Sequence, residues 1–320
     1  MRECNESELS RGRGRRARAW RSGVAGVLAA ALVAVAAPAQ AQSQADIVYV
    51  GGRYTARTDL DDRAGKREDR GLTVAIMPPS FELGQRDRLS IGVIYRYTGV
   101  DLLDGAAFAN ERKLRHLHAI DQPIAYSRIL NRRWILTIGA IPGLRTDFQQ
   151  KISERDIQVG GVLMATYLIG GDPHFKFSFG IFGQTHWALA PGFPFVALDY
   201  KNDFVAFDVG ASGLNAVFRI GDRAEIGLFG TIGADWYHVK TAGAPQVNNA
   251  RFLRLLELGV GPQVNVRTVG PVWLNARAGY NVLRNGTLGD ADRKEIGGVS
   301  LDTSGAFFAQ VGLSVRDPRR

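Results

Sequence analysis

Apolar and polar side chains alternate along most of this chain, and this alternation constrains its fold more than any other feature. It is clearest in FKFSFGIFGQTHWAL, residues 175–189. One parity is mostly Lys, Ser, Gly, Gln and His, whereas the other is aromatic or aliphatic: Phe175, Phe177, Phe179, Ile181, Trp187 and Leu189. A period of two residues predicts a β-strand with one apolar and one polar face.

Alternating segments of this kind recur along the chain and predict an all-β protein. Most are longer than the five or six residues usual in globular sheets and match the length of membrane-spanning strands. Three short segments near residues 194–220 form three strands, or fewer if Gly210 and Gly213 bend one long strand through a bulge. We therefore expect 12 to 14 strands. The predicted segments are 46–58, 71–83, 88–98, 116–130, 134–146, 156–169, 174–188, 194–200, 204–209, 214–220, 225–239, 250–266, 271–283 and 303–315.

The links between these segments alternate between long and short. Long links are 59–70, 100–115, 148–155, 240–249 and 284–302, and short links are 84–87, 131–133, 170–173, 201–203, 221–224 and 267–270. Outer-membrane barrels have short periplasmic turns and longer outer loops. The pattern predicts an antiparallel transmembrane β-barrel with both termini on the periplasmic side.

The first 41 residues have the pattern of a secretory signal peptide. Six arginines between Arg11 and Arg21 precede the apolar run 23–37, and Ala39 and Ala41 occupy the small-residue positions before a cleavage site. We expect residues 1–41 to be removed and residues 42–320 to form one barrel domain. The sole Cys, Cys4, leaves with the leader, and the net charge falls from +9 to +5. This excludes disulfides and thiolate metal sites and gives little support for nucleic-acid binding.

Charged residues within the strands are expected to face the interior of the barrel. A charge on the lipid face near the midplane costs about 2–4 kcal/mol, which favours the inward direction. Both signs occur, so no ion selectivity follows. The predicted lumen-facing residues are Arg96, Lys176, Asp199, Asp208, Arg219, Asp235, Glu257 and Arg277.

The segment 193–239 resembles an uncharacterised family of Gram-negative outer-membrane barrels, domain of unknown function 6268. The similar features are Pro194 at the start of a short strand, the turn DYKND at 199–203, and VFR at 217–219 before another short turn. The likeness extends over about residues 117–315. It implies a fold and a compartment, and it carries no catalytic residues to this chain.

Candidate catalytic and metal-binding residues are few. His116 and His118 are two apart and share one strand face, a spacing that can present two metal ligands, but Asp121 has the opposite parity. Asp235 and His238 suggest an acid–base pair, yet on a strand they face opposite ways. The sequence contains no GxSxG motif. We predict no metal, no cofactor and no enzymatic activity.

The sequence thus predicts an outer-membrane β-barrel that is structural or forms a narrow pore for small solutes. Expected partners are outer-membrane lipid and, during biogenesis, the barrel assembly machinery, but no nucleic acid. Two alternatives remain open: a membrane-embedded enzyme acting on lipid, and a soluble secreted β-sandwich. The C-terminal strand alternates well but is followed by RDPRR, where many such barrels end on an aromatic residue.

Overall fold

The computed structural model describes residues 46–61, 65–103, 116–185, 192–210, 213–239 and 250–316, and the predicted signal peptide lies outside these ranges. Within them, no helix has the length and hydrophobicity needed to cross a membrane. The strands are β1 Asp46–Asp59, β2 Lys66–Ile76, β3 Phe81–Glu82, β4 Asp87–Ile91, β5 Val93–Leu103, β6 Leu117–Asp121, β7 Ile124–Ile129, β8 Trp134–Thr146, β9 Ile157–Leu168, β10 Phe175–Gln184, β11 Gly192–Lys201, β12 Val205–Gly210, β13 Gly213–Ile220, β14 Ala224–His238, β15 Phe252–Arg267, β16 Val272–Gly289, β17 Glu295–Ser300 and β18 Ala306–Arg316.

These strands form one closed antiparallel ring. Strand β1 pairs with β2 on one side and with the last strand, β18, on the other, so the sheet has no open edge at the termini. Several of these strands are parts of longer ones: the two-residue β3 follows β2 across residues 77–80, β4 and β5 are separated by Gly92, and β6 and β7 by Gln122 and Pro123. Counted this way, and with β17 confined to the last long link, the ring has 14 strands. The predicted antiparallel barrel of 12 to 14 strands is confirmed, and a two-sheet sandwich is excluded.

The three short segments that left the strand count open are three separate strands. Strand β12 pairs with β11 through only four residue pairs and with β13 through six. Gly213 begins β13 with a φ angle of +139°, a backbone conformation that residues other than glycine rarely adopt. The chain therefore turns at this level instead of continuing as one bent strand.

The strands extend further towards the long links than the sequence predicted. Strand β2 begins at Lys66 instead of residue 71, β5 continues to Leu103, and β16 continues to Gly289. These extensions contain charged residues such as Arg67 and Asp69, which the sequence pattern assigned to solvated loops. They form strands because their charges pair with one another inside the ring, so that burial costs less.

Side chains on the two faces of the ring differ as the alternation requires. On β10, Phe177, Phe179 and Ile181 are exposed on the outside, with 58% of Ile181 accessible. Phe182, of the opposite parity, is 7% accessible. The outer surface is thus an apolar band, and most of the strand charges lie on the inner face.

Candidate functional site

The eight residues predicted to face the lumen each lie on a different strand, and they do not form one site. Arg96, Asp235 and Glu257 lie near the long links and belong to two ion-pair networks described below. Lys176 and Asp199 form a separate pair on β10 and β11, with Nζ 3.0 Å from Oδ1. Asp208, Arg219 and Arg277 lie on β12, β13 and β16 and make contacts of their own.

The first network joins β14 to the wall formed by β5, β6 and β8. The Asp121 carboxylate forms ion pairs with Arg96 at 3.0 Å and with Arg145 at 2.7 Å. Both guanidinium groups also lie 3.3 Å from Asp235 of β14. Since β14 is not a sheet neighbour of β5 or β6, these contacts cross the interior of the barrel. We call Arg96, Asp121, Arg145 and Asp235 the Asp121 network.

The second network joins β1 and β2 to β15 and β16. The Asp69 carboxylate forms ion pairs with Arg67 at 2.8 Å and with Arg284 at 2.6 Å. Both guanidinium groups are fully buried. Glu257 lies 3.1 Å from Arg53 and 3.7 Å from Arg67. This group, the Asp69 network, consists of Arg53, Arg67, Asp69, Glu257 and Arg284.

A cavity of about 90 Å³ lies between the two networks, and we call it the chamber. Strands β1, β2 and β5 form one wall, and β14 and β15 form the facing wall. Arg53 and Arg96 line the first wall, and Asp235 and Glu257 line the second. Residues Thr55, Asp69, Arg70, Gly71, Thr73, Tyr97, Thr98, Gly233, Tyr237 and Leu255 complete the lining.

The long-link end of the interior is closed by the tips of β14, β15 and β16. At the end of β14, His238 pairs with Thr146 of β8 in parallel orientation, although these strands are not neighbours in the ring. An apolar cluster fills the space between the tips and the opposite wall. We call this closure the mouth contact, and its buried side chains are Val100, Leu102, Leu117, Ala119, Tyr237, Val239, Ala250, Leu253, Leu255, Leu288 and Leu301.

The link between β8 and β9 packs against the tip of β14. Asp156 lies 3.2 Å from Nδ1 of His238, and the Gln150 side-chain amide lies 3.1 Å from the same ring. Burial raises the pKa of Asp156, but hydrogen bonds from the Ser153 backbone and hydroxyl and from Thr146 outweigh this effect and hold its pKa below the usual value. A charged carboxylate therefore fastens this link to the mouth.

Trp236 is buried at the same place. Its indole packs edge-on against Phe252, with ring centroids 6.3 Å apart, and Arg254 lies over it at 5.7 Å. It is buried because the tips of β14–β16 fold across the opening, so that their outward side chains are covered instead of facing lipid.

The remaining inward charges form polar contacts nearer the short turns. The Asn215 amide donates to Asp208 at 3.0 Å, and Arg277 donates to Gln263 at 3.1 Å. Arg219 lies 3.8 Å from Glu225. Arg316 of β18 forms ion pairs with Glu225 and with Asp46 of β1. These contacts join the first and last strands of the ring to β14.

The alternation of side chains suggested a uniformly polar interior, but part of the interior is apolar. A second apolar cluster lies on the inward face of strands β1 to β11. It consists of Tyr49, Ala75, Met77, Ile94, Ala125, Ile141, Val162, Met164, Phe182 and Phe195. Tightly packed side chains therefore fill much of the interior, and little room is left for a wide aqueous channel.

The two histidines considered as metal ligands lie on the outward face of the ring. Nδ1 of His118 is 2.9 Å from the Tyr95 hydroxyl, and Nδ1 of His116 is 2.8 Å from the Tyr97 hydroxyl. Asp121 points inward to its arginines. In the described part of the chain, no group of three or more His, Cys, Asp or Glu side chains converges as a metal site would require.

Sequence reasoning missed several members of the interior networks. Arg67 and Asp69 were assigned to a loop, and Asp121 was considered only as a metal ligand. Arg145 lies in a predicted strand, and its inward parity was the signal that could have identified it. Arg53 carries the same signal in the predicted strand 46–58. Arg284 does not, because it lies in a predicted link and a register shift between β15 and β16 next to Leu283 turns it inward.

No protein-family model matches the sequence, and the search among curated proteins found no match. Among solved structures, the NanC porin is 9% identical over 84% of this chain and 100% of the porin, with a TM-score of 0.37. A mutant of the TodX monoaromatic hydrocarbon channel is 10% identical over 84% and 89%, with a TM-score of 0.40. Outer membrane phospholipase A from Escherichia coli is 11% identical over 90% and 97%, with a TM-score of 0.33. The barrel assignment follows from the strand pairing of this chain, and the resemblance to domain of unknown function 6268 stays a prediction.

Proposed function

We propose that this protein is a barrel of the Gram-negative outer membrane that passes small hydrophilic solutes through a narrow, gated lumen. The closed ring and its apolar outer band support a membrane location, since spanning strands must satisfy their backbone groups within the structure. The signal-peptide pattern of residues 1–41 supports export. Lipid and the barrel assembly machinery are the partners that this location implies.

One observation carries the proposal of a gated pore: a chamber lined by charged side chains lies directly under a mouth closed by strand tips. The mouth contact joins strands that are not neighbours in the ring, through one residue pair, His238 with Thr146, and an apolar cluster. Such contacts can separate without breaking the ring ladder. We infer that passage requires the tips of β14–β16 to move away from β8.

A reversible disulfide across the mouth tests this function. His238 and Thr146 are paired as residues of adjacent strands are, and the Cα atoms of such pairs lie about 5 Å apart, within disulfide range. The mature chain is expected to lack Cys, so the double variant Thr146→Cys, His238→Cys would contain only the engineered pair. In proteoliposomes, we expect flux of solutes of glycine size when the pair is reduced and a fall to the level of empty liposomes when it is oxidised.

The matched control places the pair in the ring itself, with Val50→Cys and Leu313→Cys on β1 and β18, which are paired and outward-facing. Oxidation of this pair should leave flux unchanged. If neither the reduced variant nor the wild type passes any solute faster than empty liposomes, the pore is excluded and the structural role remains. The ion pairs that cross the interior favour that second candidate.

We propose no enzymatic role. The contact that favours one is the buried Asp156–His238 pair. A lipid-acting hydrolase also needs a nucleophile beside the base. In the described residues, the His238 ring hydrogen-bonds with Gln150 and Asp156, and the nearby hydroxyl groups of Thr146 and Ser153 donate to Asp156.

A further inference from the structure

The chamber separates charges of opposite sign onto two facing walls. Arg53 and Arg96 lie on the wall of β1, β2 and β5, and Asp235 and Glu257 lie on the wall of β14 and β15. The pairs meet across the interior, Arg53 with Glu257 at 3.1 Å and Arg96 with Asp235 at 3.3 Å. A solute that entered the cavity and displaced these two ion pairs would contact cationic donors on one side and anionic acceptors on the other.

The two facing pairs contribute two arginines and two acids, so their charges balance. Two further charged residues line the cavity but are paired elsewhere: Asp69 with Arg67 and Arg284, and Arg70 with Glu68. A solute with a single charge would be attracted by one wall and repelled by the other. A zwitterion would form charge-assisted hydrogen bonds with both walls.

The size of the chamber limits the solute. A cavity needs roughly 10–15 Å³ to hold one water molecule, so 90 Å³ corresponds to about six to nine waters. That is room for a solute of about five or six heavy atoms, as many as the smallest α-amino acids contain. Three threonines, Thr55, Thr73 and Thr98, add hydroxyl groups to the lining.

We propose that the chamber is the solute-binding site of the pore and that it takes a small zwitterion of the size and charge pattern of glycine. The carboxylate would lie against Arg53 and Arg96, and the ammonium group against Asp235 and Glu257. This inference rests on the proposed pore function for its biological meaning, but binding can be measured whether or not the pore opens.

A filled-chamber variant tests the site. Gly71 lines the chamber, and a Cβ built there meets Arg53 Cβ and the Tyr97 carbonyl at 3.6 Å, an ordinary contact. Gly71→Leu should therefore keep the backbone and fill the cavity. Gly52, paired with Leu72 on the neighbouring strand, faces outward, so Gly52→Leu is the matched control.

The measurement is saturable binding of isotope-labelled glycine to the folded protein in detergent, with glycolate and ethylammonium as probes of one charge each. We expect the wild type and Gly52→Leu to bind glycine more tightly than either probe by about tenfold or more, because each single-charge probe loses one charge-assisted contact. Gly71→Leu should lose glycine binding. Absence of glycine binding to the wild type, or unchanged binding in Gly71→Leu, would overturn the proposed site.

A second variant tests the site independently, in case Gly71→Leu does not fold. Neutralising one facing pair together, Arg53→Gln with Glu257→Gln, removes one charge of each sign, while Arg67 and Arg284 keep their ion pairs with Asp69. The double variant should abolish the preference for glycine over the single-charge probes. A retained preference would contradict the assignment of these walls. Flux without glycine preference would refute the site alone, whereas glycine binding without flux of any solute would refute the pore alone.

Discussion

Arg145 and Asp121 show how single residues hold this barrel together. Their side chains are 3% and 2% accessible, and the ion pair between them is 2.7 Å long. A buried ion pair contributes little net stability relative to an apolar pair, but the loss of one partner leaves an uncompensated charge. Each member of the Asp121 network is therefore required mainly because the others are present.

Removal of one member of the Asp121 network should lower the free energy of unfolding more than removal of two paired members. We expect Asp121→Leu alone to lower the free energy of unfolding by about 3–5 kcal/mol, and Asp121→Leu with Arg145→Leu to cost less than the single change. Chemical unfolding in lipid vesicles measures both. The control is Arg128→Gln, since Arg128 forms a 3.8 Å pair with Asp87 on the exposed surface and should contribute about 0–1 kcal/mol. Equal losses for the single and double variants would contradict a buried network.

At the scale of elements, the tips of β14–β16 and the β8–β9 link decide whether the interior is open. The link contains a 3-10 turn, Glu154–Asp156, capped by Ser153, whose hydroxyl and backbone amide both donate to Asp156. The same carboxylate contacts His238 at the tip of β14. One ionised group thus stabilises the turn and fastens it to the mouth.

The mouth should therefore loosen in acid. The pKa of Asp156 is lower in the folded state than its unfolded value of about 3.9. Its contribution to stability is then complete above that value and is lost as the pH falls through the folded pKa. We expect amide exchange in residues 150–156 to accelerate below about pH 4. Asp156→Asn should exchange faster at neutral pH and show no such step, and an identical pH profile in both proteins would refute the role.

The whole molecule combines an apolar outside with an interior that is packed and ion-paired. Pairing of β1 with β18 closes the ring, which lets its strands lie in lipid. The interior does not form a wide channel, because two apolar clusters and two cross-lumen networks occupy it. A 14-stranded ring with this interior suits a narrow or closed pathway.

A closed barrel of this kind should resist detergent until it is heated. We expect residues 42–320, folded in detergent, to migrate differently on a gel before and after boiling, because the intact hydrogen-bonded ring limits denaturation by the detergent. A chain unfolded in urea before loading is the control and should show no shift. No shift for the folded protein, together with high solubility in plain buffer, would sink the membrane assignment.

The alternation of side chains was enough to predict the all-β class and the strand number to within two. It succeeds because the two-residue period is a local property of each strand. It could not predict that Arg67 and Asp69 extend β2, that His238 meets Thr146, or that Trp236 is covered. Those features depend on which strands face each other once the ring has closed, and only the tertiary structure brings together residues so distant in the chain.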